Sequence, residues 1–574
     1  MKPFATRHIL PFCAAALLSS CELTQAPEDT MAPENYFKNA AQLELWTQGY
    51  YTMLDDADSF VTSNADDNID NSLGDVMMGQ RDAASTSGWS WGALRRINYY
   101  FEHKACGEDV SAHYDAESHF FRAYFYWVKV RRFGDVPYYD KVLKDDDTEL
   151  LRKKRDDRGY VMDRIMTDLD EAYRLGNKAR DLVKVNKWTA LALKSRVALY
   201  EGTWRKYRGL PDADKYLDLA AKAAEEFIDK SGYKIQQTGT EPYRELFNAI
   251  DANNTEFVLA RKYGTSAKQM HGIPFAIINN KTGFTRRFMN HYLMADGAYF
   301  SAQPGYETKG YVEETAGRDP RMAQTVLCPG YIQTGATKVT ANNLNALTGY
   351  QAIKYVNKKD YDGATKAFTD VPLFRAAEVY LNFAEAKAEL GTLTQPDLDK
   401  SVNKIRDRVG MQHLSMTDAN ADIDPLMLEY YPNVTRSANT GVILEIRRER
   451  TVELCLEGFR MWDIFRWKEG EQLTKPFYGI YFPAEGEYDM DGDGKNDLLI
   501  SSDAKPTTWK GTYKKIGKDI VLTEGSSGYI RALPNFSLTW NEDRDYLWPI
   551  PASERVLSGG ALSQNPGWTD STNF

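Results

Sequence analysis

Along much of the chain, apolar residues recur at steps of three and four, the spacing of helices that bury one face. The segment from Val371 to Gly391 shows it most cleanly. Leu373, Ala377, Tyr380, Leu381, Ala384 and Ala388 form one stripe, and Gly391 stops it. Val402–Val409 reads as its partner helix. The same spacing predicts helices over Ala40–Leu54, Trp89–Glu102, Ala116–Arg132, Val161–Leu175, Lys187–Tyr207 and Tyr216–Ile228. Phe133-Gly134-Asp135-Val136-Pro137 ends the aromatic-rich helix before it, because Gly and Pro break helices. Small Ala residues at the contact positions let such helices pack closely side by side, as in tetratricopeptide repeats, although the 34-residue period is blurred here.

The segment Glu445–Gly470 carries both an apolar stripe and a dense set of charges. Val452, Cys455, Leu456, Phe459, Trp462 and Phe465 share one face, and Gly458 turns one helix into the next. Opposite charges three residues apart, such as Arg450 and Glu453, are placed to pair along the helix surface. So many charges beside Trp and Phe predict a packed segment whose charges are paired rather than solvated. The carboxylates here therefore read as structural. Two stretches lose the helical period: residues 253–370 and 475–545 are expected to be loop-rich insertions. Asp55–Gly88 is a long polar loop, and loops of that length usually serve a function.

At 574 residues, with 43% hydrophobic content, the chain can bury a large core. The net charge of −10 and the lack of a basic stripe point away from nucleic acid. The 35 Tyr and 12 Trp are numerous enough to furnish binding surfaces as well as a core. The first 20 residues read as a signal peptide: Lys2 and Arg7 precede the apolar run Ile9–Leu18, which is too short to span a bilayer. It ends Leu18-Ser19-Ser20-Cys21, similar to a bacterial lipobox. Cys21 is then the lipidated (palmitate-bearing) N-terminus, residues 21–39 a tether, and 40–574 a single body. Loss of the leader takes the net charge to −12. The remaining Cys106, Cys328 and Cys455 have no metal-like spacing, and Cys455 reads as a small core hydrophobe.

Asp489–Asp497 reads D-M-D-G-D-G-K-N-D, the first half of a calcium loop. Alternating acidic residues on a tight turn converge hard oxygens, which suits Ca²⁺ as a structural clamp. The expected ligand positions are Asp489, Asp491, Asp493, Lys495 and Asp497. The twelfth position is Ile500 rather than Glu, so the loop is not an EF-hand. None of the seven His sits in a metalloprotease motif, and no nucleophile elbow or P-loop is present.

Several motifs together resemble the SusD/RagB family of Bacteroidetes surface lipoproteins. They are Arg450, Glu453, Leu454, Glu457, Gly458, Arg460, Asp463, Arg466 and Trp467; Glu117, Phe120, Arg122 and Ala123 with Phe133-Gly134-Asp135 and Pro137; and the Ala/Leu pattern of Ala190–Tyr200. Tyr292…Asp296-Gly297, Arg318-Asp319-Pro320-Arg321, Pro549-Ile550-Pro551 and Gln564-Asn565-Pro566-Gly567 add to them. The resemblance implies a mainly α, tetratricopeptide-like scaffold that binds oligosaccharide at the outer membrane. It also implies delivery to a SusC-like TonB-dependent transporter, which the lipoprotein caps like a lid. Peptide capture of the RagB type is the alternative; a glycoside hydrolase or a purely structural adaptor is a further one. Sugar rings present apolar C–H faces to aromatic planes, so Trp and Tyr are the expected platforms. The expected ligand site is Trp89 with Asp66, Asp67 and Asn68 as polar partners, and Tyr299 and Tyr331 from the insertion.

Overall fold

The computed structural model describes residues 36–56, 58–62, 64–266 and 269–570. The signal peptide, Cys21 and most of the tether lie outside the described residues. Helix outweighs strand by 43% to 9%, so the scaffold is mainly α and tetratricopeptide-like. The principal helices are α1 (Ala40–Thr47), α2 (Gly92–His103), α3 (Glu108–Phe133), α4 (Arg158–Leu175), α5 (Lys187–Lys206), α6 (Ala213–Lys230), α7 (Arg286–Met289), α8 (Ala376–Leu390), α9 (Val402–Asp407), α10 (Pro425–Tyr430), α11 (Thr440–Glu453), α12 (Arg460–Arg466) and α13 (Ala552–Leu557).

Consecutive helices pack in pairs, α3 on α4 and α5 on α6, and α8 returns to close against α5, α6 and α11. The small side chains expected at these contacts do the work. Gly202 of α5 lies so close to α6 that a Cβ there would sit 2.7 Å from Leu217 Cγ. The start of α5 is fixed by a capping box, in which the Asn186 side chain accepts from the Thr189 backbone and Thr189 answers it. Val371–Arg375, the start of the predicted helix, is instead a strand, β5, because it pairs with Phe257–Arg261 (β2). The β-branched and aromatic residues there satisfy a sheet before the Ala-rich run begins α8.

The stretch 475–545 is not simply loop. It holds Phe477–Phe482 (β6), Gly486–Tyr488 (β7), Leu498–Ser501 (β8), Thr512–Lys515 (β9) and Gly528–Ala532 (β10). β6 pairs antiparallel with β10, and β7-β8-β9 form a separate sheet. Three two-residue strands, Asn68–Ile69 (β1), Gly283–Phe284 (β3) and Tyr350–Gln351 (β4), tie the polar loop to the insertion.

Two hydrophobic cores meet at α11. One lies among α3–α6 and α8 and takes Val442–Leu444 and Ile446. The other lies under the insertion and takes Val452, Cys455 and Leu456. Every residue of α11 is buried, so each of its charges needs a partner. The partners are not the local ones expected. Arg450 pairs with Asp463 at 2.8 Å. Glu453 receives Arg375 and Arg408, each at 2.7 Å, and Arg321 at 3.1 Å. Glu457 receives Lys354 at 2.6 Å and Arg375 at 2.7 Å. Arg460 reaches Asp66 at 2.6 Å. Between α11 and α12 the chain turns at Gly458, whose φ of +79° places it in the left-handed region where a side chain is strained.

Candidate functional site

A recess of about 220 Å³ opens where the polar loop, the insertion, α10 and the start of β6 meet. Its floor is built by stapling Asp66 to the N-terminus of α7. Thr285 caps that helix by accepting from Phe288 N at 3.2 Å, donates its hydroxyl to the Asp66 carbonyl at 2.6 Å, and gives its own N–H to Asp67 O at 2.9 Å. Arg287 then spans three elements. It pairs with Asp66 at 2.8 Å and donates to Gln472 Oε1 at 2.9 Å and to the Tyr430 carbonyl at 2.7 Å. Its guanidinium also lies 4.1 Å from the Tyr430 ring centre. Asn290 donates to the Tyr430 hydroxyl at 3.0 Å.

Electrostatics lock this floor. Burial alone would raise the Asp66 carboxyl, but the guanidinium groups of Arg460 and Arg287 outweigh it and hold the group well below the usual carboxylate range. Asp67 has no such partner. Burial and then the neighbouring Asp66 charge push its carboxyl up to about 7. Asp66 is thus a permanently ionised hydrogen-bond acceptor, unfit to act as a general acid.

Along the rim, the pairing of β6 with β10 shifts register between Tyr481 and Tyr478, and these two residues are half-buried while Phe477, Ile480 and Phe482 are buried. Tyr529 of β10 joins them, with ring centres 5.7 Å from Tyr478 and 5.4 Å from Tyr481. Arg286 braces Tyr529 from 4.5 Å and is itself held by Glu314 at 3.2 Å. The result is a row of accessible phenol rings beside fixed polar groups and the exposed Lys475 and Glu429. Such a surface suits a hydroxylated ring with an apolar face.

The residues expected from sequence are placed differently. Trp89 is only 5% exposed and is held edge-on by Trp91 and Phe133, with ring centres 5.6 and 5.0 Å away. Trp91 is half-buried. Both tryptophans line a separate recess of about 510 Å³ with Tyr139, Leu143 and Leu557, to which Asp66, Asp67 and Asn68 contribute nothing. Asp66, Asp67 and Asn68 are buried, since the pairing of β1 with β3 covers them. Asn68 donates to Asp67 at 3.0 Å. Of the three, Asp66 reaches the described recess. Tyr299 donates to Asp422 O at 2.6 Å and lines a third hollow of about 410 Å³. Tyr331 is buried in the second core, where it accepts from Arg244 at 3.0 Å. Sequence reading missed Tyr430, Tyr478, Tyr481, Tyr529, Arg286 and Arg287.

In the Asp-rich loop, Asp489, Asp491 and Asp493 each offer an oxygen within 4.8 Å of the others. Their turns are closed by backbone N–H bonds, such as Gly492 and Gly494 to Asp489 at 2.7 and 2.8 Å. Desolvation and the charges of Asp497, Asp493 and Asp489 raise the Asp491 carboxyl. Of the two outer positions, the Asp497 carboxylate is not part of this convergence. The Lys495 ammonium sits on Asp493 at 2.9 Å, and Asp497 turns inward to accept from Met490 N at 3.1 Å.

The family profile described as "SusD family" matches residues 251–568, and one described as "Starch-binding associating with outer membrane" matches residues 92–199. The chain is 26% identical to the starch-binding protein SusD of Bacteroides thetaiotaomicron over 67% of its own length and 68% of that protein. It is 22% identical to SusD-like protein P25 of Formosa agariphila over 44% of its length, a match that spans half of that protein. Among solved structures, a SusD-like protein from Bacteroides fragilis superposes with a TM-score of 0.68 at 22% identity, covering 95% of this chain and all of the other. A laminarin-binding SusD-like protein superposes with a TM-score of 0.54 at 17% identity, covering 93% of this chain and all of the other.

Proposed function

The chain belongs to the SusD family, and from that premise we propose that it is a glycan-binding protein whose oligosaccharide lies across Tyr478, Tyr481 and Tyr529 and into the recess floored by Asp66 and Arg287. The observation that carries this reading is the row of half-buried tyrosine rings beside polar groups already fixed by buried ion pairs. Preorganised partners spare the ligand the entropy of ordering them. No bond is broken in this reading. The names of the relatives, starch-binding and laminarin-binding, favour a neutral glucan as the first ligand to try.

The test is calorimetry of the purified protein against a glycan panel, with Tyr478→Ala and Trp89→Ala in parallel. Loss of one stacked ring is expected to weaken binding about tenfold, or about 1.4 kcal/mol. Trp89→Ala is expected to lower stability while leaving affinity within about twofold in the surviving folded fraction, because the ring is packed rather than presented. Glycan binding that survives Tyr478→Ala but is lost with Trp89→Ala would move the site to the recess beside Trp91.

We further propose that the protein is anchored through lipid on Cys21 and hands its ligand to a SusC-like TonB-dependent transporter. The match to an outer-membrane-associated starch-binding profile supports this, and among the described residues no helix is long and apolar enough to cross a membrane. Failure to co-purify with such a transporter when the two are co-expressed would remove it. The Asp489–Asp493 turn is proposed to hold Ca²⁺, since its three oxygens converge as hard ligands. A peptide ligand is favoured by one feature only: the hollow beside Tyr299 carries Asp296, Asp418, Asp422 and Glu445 against Arg406 and His413. Binding of basic peptides, and of no glycan, would select that reading.

A further inference from the structure

A second cavity, of about 250 Å³, lies behind the α11–α12 turn and is separate from the tyrosine recess. Its walls come from α3 (Tyr124, Trp127, Arg131), α5 (Arg196, Tyr200), β5 and α12 (Trp462, Asp463, Arg466). Four arginines line it, and three are fully committed. Arg196 forks onto Glu378 through two bonds of 2.6 Å. Arg450 holds Asp463 at 2.8 Å and Asn382 at 2.9 Å. Arg466 holds Asp463 at 2.9 Å and Glu385 at 2.8 Å.

Arg131 is different. Among the described residues it makes no hydrogen bond or ion pair, and its Nε is buried without a partner. It lies over Trp462 at 3.9 Å and Trp127 at 5.2 Å, and the Asp55 carboxylate attracts its charge from beyond ion-pair distance. The carboxylates of the lining are spent in the same way. Glu457 and Asp463 are paired. The remaining one, Asp55, is exposed at the cavity mouth beside Ser59. A half-buried guanidinium with no counter-charge in contact is incompletely compensated, and an anion that supplies one binds with a charge-assisted fork.

We propose that this cavity binds a monomeric sugar acid. Its carboxylate meets the open fork of Arg131, its hydroxyls donate to Asp55 and bond Ser59 near the mouth, and its ring face lies on the aromatic wall. The volume suits one ring rather than a chain. This site is independent of glycan binding at the tyrosine row.

The experiment is calorimetry of the intact protein with D-glucuronate, D-glucose and acetate, on wild type, Arg131→Gln and Arg131→Lys. Thermal melts of each variant confirm that it is folded. Glucuronate is expected to bind saturably and glucose not to bind here, with acetate competing weakly. Arg131→Gln is expected to lose at least about tenfold, as removal of a charged hydrogen-bond partner does. Arg131→Lys keeps the charge without the fork and is expected to fall between. Equal binding of glucose and glucuronate, no glucuronate binding by wild type, or an unchanged affinity in folded Arg131→Gln would each overturn the proposal. Acetate competition in wild type keeps the test decisive if both variants fail to fold: absence of competition would also overturn it. Because the tyrosine row is read with neutral glycan and Tyr478→Ala, failure of either site is seen separately.

Discussion

Glu469 shows how a single buried carboxyl can work against the fold. Its nearest cation, Arg447, stands 3.6 Å away, beyond hydrogen-bonding reach, and burial outweighs that attraction and pushes the carboxyl up to about 7. A folded value above the unfolded one, about 4.5, means the group stabilises most when protonated. That contribution is complete below about pH 4.5 and is lost as pH rises through about 7. Glu469→Gln removes the loss. Urea titrations at pH 5 and pH 8 are expected to show the variant gaining on wild type by about 1–3 kcal/mol at the higher pH. A variant that is instead weaker at pH 8 would mean that the Arg447 pair dominates. Glu385 has the opposite sign: Arg466 overcomes burial and holds it near about 2, so its contribution is present above about pH 4.5 and fades toward pH 2. At this scale the sequence announced that the charges of Glu445–Gly470 would be buried and paired, from their interleaving with Trp and Phe. It could not name the partners, because they arrive from distant segments: Glu453 meets Arg408, 45 residues away, and Arg375, 78 away.

Elements were legible where one helix face is apolar and its ends are punctuated. Helices α4, α5 and α6 begin and end within about three residues of their expected limits. Strands were not legible where pairing decides. Val371–Arg375 is apolar enough to continue a helix, and only β2 alongside makes it a strand. The tyrosine row was hidden for the same reason. Tyr478, Tyr481 and Tyr529 come together only when β6 and β10 pair in register, and their individual sequence neighbourhoods look like loop. The Asp-rich turn is the one element whose chemistry should be readable without the rest. Ca²⁺ is expected to raise the melting temperature, EDTA to reverse this, and Asp491→Asn to abolish it. An identical melting curve with and without Ca²⁺ would remove the metal from this loop.

Across the molecule, α11 belongs to both hydrophobic cores, and Glu453 at its end bonds cations from three separate segments: Arg321, Arg375 and Arg408. Removing one member of such a group strands the others, which typically costs about 3–5 kcal/mol. Calorimetry is expected to show one cooperative transition in wild type. In Glu453→Gln the transition should shift down and split in two, as the helical half and the insertion half lose their shared anchor. A variant that melts in a single, unshifted transition would show that the cores are joined by apolar packing alone. These pairs lie out of solvent, so wild-type stability should respond little to salt.

The bond between Asp66 and Arg460 joins residues 394 positions apart. During synthesis, Asp66 emerges long before the second of the two arginines that neutralise it. Arg287 offers Asp66 one cation earlier, but the second, Arg460, joins it only from the last quarter of the chain. The fully ion-paired floor of the recess is therefore complete only once the last quarter of the polypeptide is available. A site built this way commits only when the chain is nearly complete.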